Sequence, residues 1–100
     1  MNVRTTVDAI EGLCREMLEG PEREQLAKYA IASTLIRDLE ELNRLRCKNG
    51  WGYVEEKLVS LRWHTETIAG LDDGNEHAGE THFVWALGDL HSIARNMCRN

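Results

Sequence analysis

The chain is poor in the residues that break helices. Pro21 is the only proline in 100 residues, and eight glycines are the only other strong breakers. That scarcity favours a few long helices over many short strands. Positive charge is also short, with 12 Lys and Arg against 17 Asp and Glu and a formal net charge of −5. A direct nucleic-acid partner is therefore not expected, because phosphate binding needs a basic surface. Cysteine is sparse and unpatterned: Cys14, Cys47 and Cys98 form an odd set with no C-x-x-C pair, so no disulfide framework is predicted. Reduced thiols point to the cytoplasm. No apolar run nears the roughly 20 residues that span a bilayer. The stretch Met1 to Asp8 has neither the apolar core nor the cleavage pattern of a signal peptide. No internal repeat, low-complexity tract or convincing strand alternation is present.

Hydrophobic residues make up 42% of the chain, so disorder is not expected. The length predicts a single helical domain over residues 1–100, large enough for one modest core but not for a roomy enzyme cleft as well. The apolar spacing predicts four helices. The first runs from Thr6 to Glu19 behind a Thr5 cap, with Val7, Ile10, Leu13, Cys14, Met17 and Leu18 on one side. Gly20 supplies a left-handed stop, and Pro21 opens the next helix. That second helix extends to about Cys47 and is about 40 Å long. Its predicted buried stripe is Ala27, Ile31, Leu35, Leu39, Leu42 and Leu45, widened by Ala32 and Ile36. Such length invites a kink or a partner chain.

Asn49 and Gly50 predict a turn, and the third helix follows from Tyr53 to Ala69 on a Val54, Leu58, Leu61, Thr65 and Ile68 stripe. After a loop from Gly70 to Asn75, the fourth helix begins as early as Glu76 and reaches about Cys98. Its stripe is Phe83, Leu87, Leu90, Ala94 and Met97. The expected fold is an all-α, antiparallel bundle of about four helices with a long second helix. A two-chain arrangement around that helix, a homodimer, is the main competitor.

Chemistry is hard to build from these residues. His82 and His91 are nine apart and lie about 180° apart on a helix. His91 and Cys98 share a side but sit about 10 Å apart along it. His77 and Glu80 supply only two ligands. A metal would need ligands from different helices, so neither a metal nor any other cofactor is expected. Ser33, Ser60 and Ser92 lie inside helices, with no G-x-S-x-G elbow. Cys14 lies on an apolar stripe, where cysteine is an inert small hydrophobe. No enzyme is expected. The many carboxylates read as a solvated surface, or more sharply as one that docks a basic groove.

The aromatics break the pattern. Trp63 lies about 180° from the apolar stripe of its helix, and Trp85 about 160° from that of its own. Trp85 shares its side with Asp89, Ser92 and Asn96, which are expected to face solvent. Tyr29 also falls off the main stripe of its helix. Exposed Trp and Tyr mark places where proteins meet, the alternative being helices buried on two sides. The predicted partner surface is Trp63, Trp85, Asp89, Glu55, Glu56, Glu66 and Tyr29. Gly88, inside the fourth helix, is expected to let another helix approach.

In size, acidity and helicity the chain resembles the small helical proteins encoded by phages and other mobile elements, among them the anti-CRISPR inhibitors. No specific residue carries that resemblance. It implies a protein partner with a basic nucleic-acid-binding groove, blocked sterically, with no direct binding of nucleic acid and no membrane. A self-associating module and a His/Cys metal protein are the rival expectations.

Overall fold

The computed structural model describes residues 2–46, 52–71 and 78–97. Four α-helices fill them: α1 (Val3–Glu19), α2 (Gln25–Arg46), α3 (Tyr53–Ile68) and α4 (Gly79–Met97). A single 3-10 turn over Glu22–Glu24 leads into α2, and no strand occurs among the described residues. The helices run up and down as a small all-α bundle measuring 39 × 25 × 18 Å. The hairpins α1–α2 and α3–α4 pack side by side, with α4 against α1 and α2 against α3. No helix is long and apolar enough to cross a membrane among the described residues.

Local chemistry sets the helix ends. Asn2 caps α1, its side-chain oxygen accepting from the Thr5 amide at 3.1 Å, and the Thr6 hydroxyl donates back to the Asn2 carbonyl at 3.0 Å. The helix thus starts before the predicted Thr5 cap. Asparagine is the stronger cap, and the earlier start brings Val3 into the core. Gly20 is not the left-handed stop expected of it, having extended backbone at φ −92° and ψ −178°. Its role is steric, since a Cβ there would lie 2.6 Å from the Glu16 carbonyl oxygen. The left-handed glycine is Gly70, at φ 80°, after α3. The Gly70 amide donates to the Thr67 carbonyl at 3.0 Å and the Leu71 amide to the Glu66 carbonyl at 2.9 Å, the paired bonds of a Schellman ending.

The core joins one side of each helix. Val7, Ile10, Cys14 and Met17 come from α1, and Leu58, Leu61 and Ile68 from α3, as their spacing predicts. On α4, Leu90, Ala94 and Met97 are buried as expected, together with Ala86 and Ile93. The α2 helix meets expectation only in part. Its buried residues are Leu39 of the predicted stripe, Ala32 and Ile36 that were expected to widen it, and Asn43. Ile31 and Leu45, towards the two ends of the predicted stripe, are 55% and 77% exposed, and Ala27 is exposed too. The helix has two apolar sides, and the bundle buries the one that also places hydrogen-bonding groups against α3. The Asn43 amide donates to Glu55 at 3.4 Å, and the Arg62 guanidinium donates to Ser33 at 2.8 Å and to Glu40 at 2.7 Å. At the far end, Arg46 donates to the Met97 carbonyl at 2.7 Å, which satisfies a C-terminal acceptor of α4. The expected turn at Asn49–Gly50, the end of the expected loop at Asn75, Cys47, His77 and Cys98 lie outside the described residues.

Truncating the fully buried Ile36 to alanine should cost about 2–5 kcal/mol in denaturant unfolding of dilute protein, whereas Leu45→Ala should change it by about 0.5 kcal/mol or less. Equal losses at the two positions would mean that the core lies on the other side of α2.

Candidate functional site

The most distinctive chemistry lies where α3 meets α4. Residues 63 and 64 of α3 face residues 82 and 85 of α4, bringing two indoles and two imidazoles together. His64 and His82 stand 5.0 Å apart between ring centres. Trp63 tilts against His64 at 4.8 Å and meets His82 edge-on at 5.3 Å. Trp85 tilts against His64 at 5.4 Å and meets His82 edge-on at 5.1 Å. Each indole therefore rests on both imidazoles. The histidines are buried, His82 completely, while Trp63 and Trp85 remain 45% and 40% exposed. The indoles form a half-open roof over a polar floor.

The floor has a defined protonation pattern. His64 Nδ1 and His82 Nδ1 are 2.8 Å apart, so one nitrogen carries a proton and the other accepts it. The buried Asp89 places Oδ2 3.9 Å from His64 Nε2, at ion-pair range but too far for a hydrogen bond. A proton on His64 Nε2 faces that carboxylate favourably, so the neutral His64 leaves its Nδ1 bare and His82 donates to it. Burial pushes the His64 pKa below the usual imidazole range, Asp89 opposes the shift and His82 reinforces it. Asp89 Oδ2 has no hydrogen-bond partner among the described residues. Such an acceptor is costly to bury, and the approach of the imidazole offsets part of that cost.

Asp89 is thus a correction to the expected surface, being 7% exposed and beneath the indoles rather than beside them. The side of α4 carrying His82, Trp85, Asp89, Ser92 and Asn96 lies along α3, with His82 and Asp89 buried, Ser92 and Asn96 half-buried and Trp85 partly open, and the Tyr53 hydroxyl lies 3.4 Å from Ser92 Oγ. The clue was the i−3 and i+4 placement of His82 and Asp89 around Trp85. Apolar periodicity scores that row as a wet surface. Gly88 is exposed, and a Cβ there would meet nothing within 4 Å, so no helix of this chain approaches it closely.

The other expected partner residues divide. Glu56 is exposed, as is Val59, which was not among them, and the two lie within about 60° of each other around α3, on either side of Trp63. Glu55 and Glu66 sit on the edge of that surface nearer α2. Glu55 accepts from Asn43, and Glu66 lies 3.3 Å from the hydroxyl of the half-buried Tyr29. Both partners are neutral, so both carboxylates add negative charge at this border. Arg62 beside them is committed to Glu40. Burial disfavours its charge, but that carboxylate more than compensates and the pKa is raised.

The two Nδ1 atoms point at each other while Asp89 faces the opposite edge of the His64 ring, so the donors do not converge. No group of three metal-ligating side chains occurs among the described residues. Cys14 is fully buried, and burial pushes its thiol up to about 11, which keeps it protonated at neutral pH. No protein-family model, curated protein or solved structure matches this chain.

Because His64 binds its proton less readily folded than unfolded, the unfolded chain takes up more protons below the ordinary imidazole value of about 6.5. Stability should therefore be flat above about pH 7 and decline as pH falls through 6.5. Thermal unfolding of wild type and His64→Gln across that range should show a steeper decline for wild type. Parallel curves would remove His64 from the account.

Proposed function

We propose that this chain is a non-enzymatic protein-binding module that docks through the α3–α4 surface. Trp63 and Trp85 act as anchors, and Glu56, Glu55 and Glu66 form an acidic border. The observation that carries the proposal is the half-exposure of two indoles held over buried imidazoles. Large aromatic side chains dominate binding energy at protein interfaces. Rings already packed on a floor lose little freedom when a partner covers them. A border of carboxylates in a chain of net charge −5 favours a partner with a basic surface and steers its approach.

A basic surface with an apolar centre is the chemistry of a nucleic-acid groove. An occupant that presents carboxylates and indoles would exclude the nucleic acid sterically. In its finer form the proposal is therefore an inhibitor of a nucleoprotein complex, the role that the resemblance to anti-CRISPR proteins implies.

The test captures partners with wild-type and variant baits, then titrates the purified partner. Trp63→Ala and Trp85→Ala should each weaken binding about tenfold or more. Raised salt should weaken it further. A partner whose affinity responds to neither tryptophan nor to salt would overturn the proposal.

A further inference from the structure

We propose that a second copy of this chain docks along the outer side of α2, the two α2 helices running antiparallel about a two-fold axis. The first observation is the exposed stripe itself. Ile31 is 55% and Leu45 is 77% exposed, while Leu35 and Leu42 are only partly covered. Singly exposed apolar residues are ordinary on a small protein, but here two exposed side chains and two that only flank the core stand in one heptad-like register.

The second observation names the occupant. A hollow of about 230 Å³ lies on α2, lined by Asp38, Glu41, Leu42 and Leu45. These positions are i, i+3, i+4 and i+7 of one helix, the four-residue hole that receives a side chain from a facing helix. The hollow is centred near Glu41 and Leu42. The exposed Ile31 is a side chain of suitable size on the same helix, and a two-fold axis makes its contact reciprocal. Seating Ile31 of one copy over residues 41 and 42 of the other places Leu42 of the first over residues 30 and 31 of the second. The surroundings there are the exposed and mostly small Ala27, Ala30 and Thr34. The same register thus fills the hole at one end and sets leucine against small residues at the other. No such match is required of an unrelated occupant. Asp38 interrupts the stripe near the axis, so the two copies bring two carboxylates within about 5 Å of each other along it, which costs affinity and favours pairing at low pH or raised salt.

The full-length chain should show a concentration-dependent mass rising from 11.4 kDa toward twice that value in light scattering or sedimentation. Ile31→Glu and Leu45→Glu should each return it to monomer without loss of helicity, since both side chains are exposed. Trp63→Ala and Trp85→Ala should leave the dimer intact. With Cys47 and Cys98 replaced by serine, a mixture of Ile31→Cys and Leu42→Cys chains should cross-link one to the other under mild oxidation. A monomer at every concentration would overturn the proposal. So would a dimer indifferent to both charged substitutions, one lost with the tryptophans, or cross-linking of Ile31→Cys chains to one another in place of the mixed pair.

Discussion

Two imidazoles facing each other across the α3–α4 seam set the terms for this half of the molecule. A nitrogen acceptor buried without a donor is destabilising, and so is a donor without an acceptor. At their facing nitrogens His64 and His82 avoid both by sharing one proton at 2.8 Å. The arrangement tolerates only a narrow range of register between α3 and α4, because sliding either helix by a turn would separate the nitrogens by about 5 Å. Asp89 then biases which nitrogen holds the proton, and the indoles close over the pair. The seam is polar inside and aromatic outside, the reverse of a simple helical hairpin.

That inversion explains what the sequence made legible. Helix number, order and approximate ends follow from apolar spacing and from breakers at Gly20, Pro21 and Gly70. The buried side of α1 and most of that of α3 follow equally well, because apart from His64 the residues buried there are apolar or, like Thr65, bond their hydroxyl to nearby backbone, at 2.7 Å for Thr65. The outward displacement of Trp63 and Trp85 was also visible on a helical wheel. Their footing was not. His82 and Asp89 are buried by a partner on another helix, and a single-helix pattern contains no trace of His64. A reading that counts polar residues as solvent-facing must place Asp89 outside, because the reason for its burial lies 25 positions away in the chain.

The α2 helix illustrates a second limit. Its two apolar sides overlap, and the row ending in Leu45 is the longer. Length of a row does not decide burial; partners do. Ala32, Ile36 and Leu39 face inward because that orientation also delivers Asn43, Ser33 and Glu40 to their hydrogen-bonding partners on α3. Of the longer row only Leu39 is fully buried, Leu35 and Leu42 flank the core, and Ile31 and Leu45 are left outside, where they become candidates for contact between molecules instead of within one.

Geometry keeps the two surfaces apart. Tyr29, Ser33 and Glu40, the α2 residues bonded toward α3, lie about 160–180° around the helix from Ile31. The other flank of α2 is tied to α1, where Gln25 donates to the Met17 carbonyl at 2.9 Å and Lys28 pairs with Glu16 at 3.8 Å. A second copy seated on the Ile31 side therefore approaches near α1 and leaves the α3–α4 roof uncovered in both molecules. Pairing through α2 and docking through the indoles are compatible, and each stands or falls without the other. Where both hold, a dimer presents two aromatic surfaces fixed relative to each other, and a repetitive or two-fold partner would be held more tightly than either surface alone allows.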